Sequence, residues 1–226
     1  MVYIMKRSAF TMLEVVFVIV VIAILAVLAM PNFNRNLLQE AAEQVAGHIR
    51  YTQHLAMNDD KYDPDDTRFH SIAGYNPSYN HLWFREYWRL RLYTNNSNIW
   101  YSVFTDKDRE GNIDINTHVE PAIDPLTGKF LYGVESSSNP QNNIKMNLTS
   151  TFGITGVSST CHANQIDIFF DNLGRPYSGS ISTGTLPPYS GLLHNDCNIT
   201  LTAGTRNAVI TIRPETGYVS VVQVDP

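Results

Sequence analysis

Residues 9–31 read AFTMLEVVFVIVVIAILAVLAMP, and this stretch decides what the rest of the chain is attached to. From Phe10 to Met30 it holds 21 residues with one charge, Glu14, and one hydroxyl, Thr11. At 1.5 Å per residue a helix of that length is about 31 Å long, the thickness of a bilayer core. Lys6 and Arg7 stand ahead of it, and basic residues before an apolar span hold that end in the cytoplasm. The expectation is a transmembrane segment over 10–30, with the remainder on the far side. Glu14 is the anomaly, because a carboxylate inside a spanning helix costs about 2.5–3.5 kcal/mol on insertion scales and so implies a partner or a task. A cleavable secretory signal has a shorter apolar region with small residues after it. Here the small residue, Ala9, comes before the run.

The order Ala9, Phe10, Thr11, Met12, Leu13, Glu14 behind Lys6 and Arg7 resembles the leader of type IV prepilins and pseudopilins. That pattern is a short basic leader, a small residue (usually Gly), then Phe, Thr, two apolar residues and Glu. Ala9 replaces the Gly. The resemblance implies a leader over 1–9, cleavage by a prepilin peptidase between Ala9 and Phe10, and N-methylation of Phe10. Pro31 falls where many pilins carry a helix-bending proline. Cleavage would create an amine at Phe10, four residues from Glu14. In the dry core of a filament, Glu14 would pair with a neighbouring subunit's Phe10 ammonium. A buried charge pair is weak evidence for net stability but a good register device. Further implications are an inner-membrane, single-pass protein with its head in the periplasm before it joins a pilus or pseudopilus. The partners implied are other pilins or pseudopilins, the prepilin peptidase, the inner-membrane assembly platform and the membrane itself.

Past Pro31, Leu38, Ala41, Ala42, Val45, Ile49, Thr52 and Ala56 recur every three or four residues, an amphipathic stripe able to lie on a sheet. Asn58, Asp59 and Asp60 mark its stop, so one N-terminal helix is expected over 10–58. His48 and His54, six apart, fall on different faces and read as surface residues rather than metal ligands. Residues 59–86, rich in Asp, Asn, Pro and Gly, read as a connecting loop region longer than an ordinary connection. A β-rich head then fills 87–226, with strand patterns at 87–94, 99–105, 145–151, 165–170, 198–202, 208–214 and 217–224. NLGRP (172–176) and PETG (214–217) read as turns. The fold class expected is α+β: the type IV pilin fold, a long N-terminal helix, hydrophobic then amphipathic, packed on an antiparallel β-rich head. QIDIFFDNLGRP and AVITIRPETGYVSV look like the FimT/GspH minor pseudopilins of type II secretion. The resulting expectation is a minor pilin or pseudopilin. Its alternatives are a DNA-uptake minor pilin and a membrane-anchored periplasmic domain.

Formal charge is −5, and −7 once a leader carrying Lys6 and Arg7 is removed, which disfavours a nucleic-acid partner. Trp83, Phe84, Tyr87, Trp88 and Trp100 alternate with Arg85, Arg89 and Arg91 in a pattern that base stacking would use. With Glu86 among them, core strands with basic edges are the preferred reading. GxSxG, HExxH, Walker A and GxGxxG patterns are absent, so no enzyme is expected. Two cysteines, Cys161 and Cys197, lack CxxC spacing. In an exported chain they suggest a disulfide, the alternative being two buried thiols. Asp196-Cys197-Asn198-Ile199-Thr200 fits an extended acidic glycosylation sequon with Asn198 as an exposed acceptor.

One loop carries metal-ligand spacing. In Asp106-Lys107-Asp108-Arg109-Glu110-Gly111-Asn112-Ile113-Asp114, acidic side chains fall on alternate positions before a Gly that permits a sharp bend. Hard cations such as calcium want several oxygens on one tight turn. Asp106, Asp108, Glu110, Asn112 and Asp114 match the first nine positions of an EF-hand loop. Thr117 stands where the bidentate Glu belongs, with Glu120 placed to fold back instead. A solvated turn is the alternative.

Overall fold

The computed structural model describes residues 11–29, 36–72, 74–95, 98–134, 139–162, 166–179, 181 and 189–224. The chain divides into two units, residues 1–35 and 36–226.

In the first unit, helix α1 covers Met12–Ala29. Thr11 starts it: its backbone carbonyl and its Oγ1 both accept the Glu14 N–H, at 3.1 and 3.3 Å. From Met12 to Leu25 its side chains are exposed, Leu13 by 81% and Phe17 by 66%. Among the described residues no helix is long and apolar enough to cross a membrane. The 18 residues of α1 span about 27 Å, short of the hydrocarbon core of about 30 Å. This overturns the expected transmembrane segment over 10–30 and the single-pass inner-membrane location drawn from it. Phe10, Met30 and Pro31 lie outside the described residues.

Helix α2, Leu37–Asn58, is a separate element with its own start. Asn36 takes non-helical angles (φ −78°, ψ 82°) and its side chain accepts the Gln39 N–H, as an N-cap does. The single long helix expected over 10–58 is therefore corrected to two helices in two units, and α2 packs on the β-rich body of its own unit.

Within the second unit, α2 buries Leu38, Ala41, Ala42, Val45, Ala46, Ile49, Thr52 and Ala56. Strands β1 (Arg89–Asn95), β2 (Asn98–Phe104), β4 (Ile166–Phe170) and β5 (Pro176–Ser178) form one antiparallel sheet in the order β2-β1-β4-β5. Strands β3 (Gly156–Ser159), β6 (Cys197–Ala203), β7 (Arg206–Ile212) and β8 (Val219–Val224) form a second, in the order β3-β6-β7-β8. The expected packing on one sheet face is too simple, since α2 touches β1 and β4 of one sheet and β6, β7 and β8 of the other. Leu90, Ile99 and Ile168 meet Ile199, Leu201, Ile210 and Ile212 in the same core beneath it. Gln53 Nε2 donates to the Gly174 and Thr216 carbonyls at 2.8 and 2.9 Å, and Arg50 Nη2 to the Val219 carbonyl at 3.0 Å.

The strand expected at 145–151 is instead a 3-10 turn, Ile144–Met146, and the short helix α3, Leu148–Phe152. Asn147 explains the difference: its side chain accepts the Ser150 N–H at 2.9 Å and starts the helix, which Gly153 ends at φ +70°.

Candidate metal centre

After β2 the chain leaves the sheet at Thr105 and returns at Glu120, whose carbonyl accepts the Thr105 N–H at 3.2 Å. Two bends shape this excursion, at Arg109 (φ +61°) and Gly111 (φ +88°). Backbone amides then fix its carboxylates. Asp106 Oδ2 accepts the Gly111 N–H at 3.0 Å, and Asp108 Oδ1 accepts the Glu110 N–H at 3.1 Å. Glu120 reaches back across the neck, its Oε1 taking the Lys107 N–H at 2.6 Å and its Oε2 the Asp114 N–H at 2.8 Å.

One carboxylate oxygen from each of Asp106, Asp108 and Glu120 lies within 4.8 Å of the others. A second group within the same spacing, Asp108, Asp114 and His118, shares Asp108. His118 Nδ1 stands 3.3 Å from Asp108 Oδ2 and 3.6 Å from Asp114 Oδ2. Asp114 also caps its own turn, accepting the N–H groups of Asn116, Thr117 and His118 at 2.7 to 3.2 Å. Those amides hold its carboxyl below the usual range. Of the five residues read as calcium ligands, Asp106, Asp108 and Asp114 enter these groups. Glu110 is exposed and enters neither, and Asn112 is exposed. Glu120 folds back as the spacing allowed. His118 gives no signal in the sequence, because only the fold brings it to Asp108.

Burial acts against charge here. It pushes Asp106 up to about 6, and the like charge of Asp108 adds to the rise while Arg89 opposes it. Burial likewise pushes Glu120 up to about 7, with Asp106 and Asp108 raising it and the Asp114 and Lys107 amides lowering it.

Arg85, Arg89 and Arg91, expected at strand edges, lie inside the protein, and so does Arg109 of the loop after β2. Arg109 sits between Asp66 and Glu86, at 2.7 Å from each, with its guanidinium 3.9 Å from the centre of the Phe69 ring. Arg91 forms a two-pronged pair with Asp167 at 2.7 and 2.8 Å, and Arg89 lies 3.6 Å from Asp106. Trp83, Phe84 and Tyr87 pack with Phe169 and Tyr177 in a second buried cluster. That packing withdraws Trp83, Phe84 and Tyr87 from stacking with bases, while Trp88 and Trp100 are half-buried.

Elsewhere, Ala9 and Phe10 lie outside the described residues, and Glu14 is exposed on α1. Cys161 and Cys197 form the expected disulfide, with Cα atoms 5.1 Å apart, tying the exit of β3 to the start of β6. Asn198 lies within β6, half-buried, its Oδ1 accepting the Thr211 hydroxyl at 2.8 Å, rather than on an exposed turn. His54 is exposed, but His48 packs against Tyr101, with Nδ1 2.7 Å from the phenol oxygen, and burial lowers its pKa. Comparison with protein-family models, curated proteins and solved structures finds no significant match to this chain.

Proposed function

We propose that this chain is a filament subunit of the minor pilin or pseudopilin kind, matured by a prepilin-type peptidase and held to its neighbours through α1. The observation that carries this reading is the apolar surface of α1. From Met12 to Leu25 large hydrophobic side chains are exposed, with Glu14 as the lone charge. A helix that is apolar all round normally lies buried in a larger assembly, and exposed apolar patches of this size mark interaction sites. The fitting occupant is the same helix of other subunits. Glu14 then meets the amine that cleavage frees at Phe10, and a charge pair in an otherwise featureless apolar bundle fixes the stagger between helices. The sequence order Ala9-Phe10-Thr11-Met12-Leu13-Glu14 supports the maturation step. The test is co-expression with a prepilin peptidase followed by intact-mass measurement. Loss of residues 1–9 is expected, and a chain that keeps them overturns the proposal.

A further inference from the structure

We propose that the outer face of the first sheet carries a binding site for a neutral saccharide, centred on Trp100 and Tyr132. The site stands apart from the filament reading and uses none of the residues that support it. Side chains alternate along β1 and β2, so Leu90, Leu92, Ile99 and Tyr101 enter the core while Tyr93 and Trp100 face the other way. Tyr93 and Trp100 stand opposite each other in the register, their rings near-parallel at 12° with centroids 5.7 Å apart. Beyond the edge of β2, isolated bridges add Tyr132 opposite Ser102 and Asn147 opposite Trp100. Residues paired in this way share a face, so Tyr132 and Asn147 join the two rings. Gly133 permits so close an approach, since a Cβ there would collide with the Tyr101 carbonyl. A cavity of about 360 Å³ opens over the rings, walled by residues 111–113 of the excursion and by residues 132–134. Small-molecule sites run from roughly 300 to 1,000 Å³. A smaller cavity of about 110 Å³ adjoins it along the 132–134 wall, lined by Asn142, Asn143, Asn147 and Ser150.

The lining selects the ligand. Tyr93, Trp100 and Tyr132 are half-buried, so flat apolar ring faces border the cavity. Among the described residues lining either cavity Arg91 is the only charged one, and Asp167 already holds its guanidinium at 2.7 and 2.8 Å. An anionic ligand would compete with Asp167 for that cation, and a cationic one would meet no carboxylate on the lining. A wholly apolar ligand would displace water from the asparagine amides without replacing its hydrogen bonds. A pyranose meets both demands: its C–H face lies against aromatic rings and its hydroxyls bond to amides. Asn143 is held ready for that. Its Nδ2 donates to Asp124 Oδ2 at 3.1 Å and its Oδ1 accepts the Lys145 N–H at 3.1 Å, which leaves one N–H and one lone pair.

The experiment titrates the full chain, in a detergent without a sugar headgroup, with lactose, maltose, cellobiose and chitobiose while tryptophan emission is followed. A saturable change with at least one of them is expected. Its affinity should not respond to added salt, because no charge is paired in binding. Trp100→Ala and Tyr132→Ala should each weaken that sugar by about tenfold or more. Tyr218→Ala removes an exposed ring beside β8 and should leave affinity unchanged. If the variants at Trp100 and Tyr132 fail to fold, saturation-transfer NMR on the wild type decides, since irradiating aromatic protons should pass magnetisation to the C–H protons of the sugar. Acetylated, amidated tetra-alanine forms a parallel arm for the other occupant such a cleft could take. No saturable change with any of the four sugars would overturn the proposal, as would binding of the peptide in their place. Affinity that falls with salt, undiminished affinity in both cleft variants, or no transfer from aromatic protons would overturn it equally.

Discussion

Arg109 Nη1 lies 2.7 Å from Asp66 Oδ1, and both side chains are withdrawn from water. The pair joins the irregular segment before β1 to the excursion after β2, with Glu86 closing the other side of the guanidinium at 2.7 Å. Replacing Arg109 with Met leaves two buried carboxylates without their shared cation. Breaking a buried pair in this way costs about 3–5 kcal/mol. Arg213→Ala, at an exposed pair with Asp196, should cost less than about 1 kcal/mol. Urea unfolding midpoints measure both, and similar losses for the two variants would show that the buried network is not stabilising the fold.

The carboxylate cluster predicts a pH dependence with a definite sign. In the folded chain Glu120 keeps its proton up to about 7 and Asp106 up to about 6, whereas unfolded carboxylates release theirs near about 4. Their contribution to stability is therefore full below the unfolded value and is lost as pH rises through about 6 to 7. Glu120→Gln mimics the protonated form and does not titrate. In chelator, wild type and variant should unfold at similar urea concentrations at acid pH, and the wild type should fall behind as pH is raised to neutrality. Parallel profiles would contradict the assignment.

Two glycines should respond oppositely to alanine. Gly217 turns the chain between β7 and β8 at φ +64°, and an added Cβ would meet Gln53 Nε2 and sit 2.9 Å from the Gly174 carbonyl. Strain and the loss of the Gln53 contacts should together cost more than about 1 kcal/mol. Gly47 lies inside α2, and a methyl group added there would have nothing within 4 Å. Gly47→Ala should therefore stabilise by about 0.5–1 kcal/mol. Thermal melts of the two variants moving in the same direction would refute this.

For Glu14→Ala, the expected outcome is normal folding of the second unit with loss of incorporation into filaments. The substitution removes the only charge among the exposed side chains of α1 and so leaves its apolar surface intact. What is lost is the partner of the Phe10 amine. Filaments sheared from cells and probed for this subunit give the readout, and wild-type incorporation would show that Glu14 sets no register.

The sequence was most legible where periodicity reports burial directly. The three-and-four spacing from Leu38 to Ala56 reappears as the buried face of α2, and the alternation in 198–202 and 208–214 as β6 and β7. The start of α2 went unread, because the contact of the Gln39 N–H with the Asn36 side chain leaves no period to detect. β3 and β5 escaped because four and three residues are too few to display a period. At the candidate metal centre, spacing along one loop located Asp106 and Asp108. Glu120 was legible as a residue able to fold back, whereas His118 reaches Asp108 only when the excursion closes on its own neck. Arg89 and Arg91 misled for a related reason: the carboxylates that face them, Asp106 and Asp167, stand 17 and 76 positions further along the chain.

The ties from Gln53 and Arg50 of α2 to the carbonyls of Gly174, Thr216 and Val219 give the second unit a mechanical axis. A pull on α2 along its length cannot peel it away one turn at a time. It must drag the buried stripe past strands of both sheets and break those side-chain ties together. Loaded in shear, the unit yields as a whole or holds. Force applied at right angles, lifting one end of the helix, would meet the same contacts in succession and at lower tension.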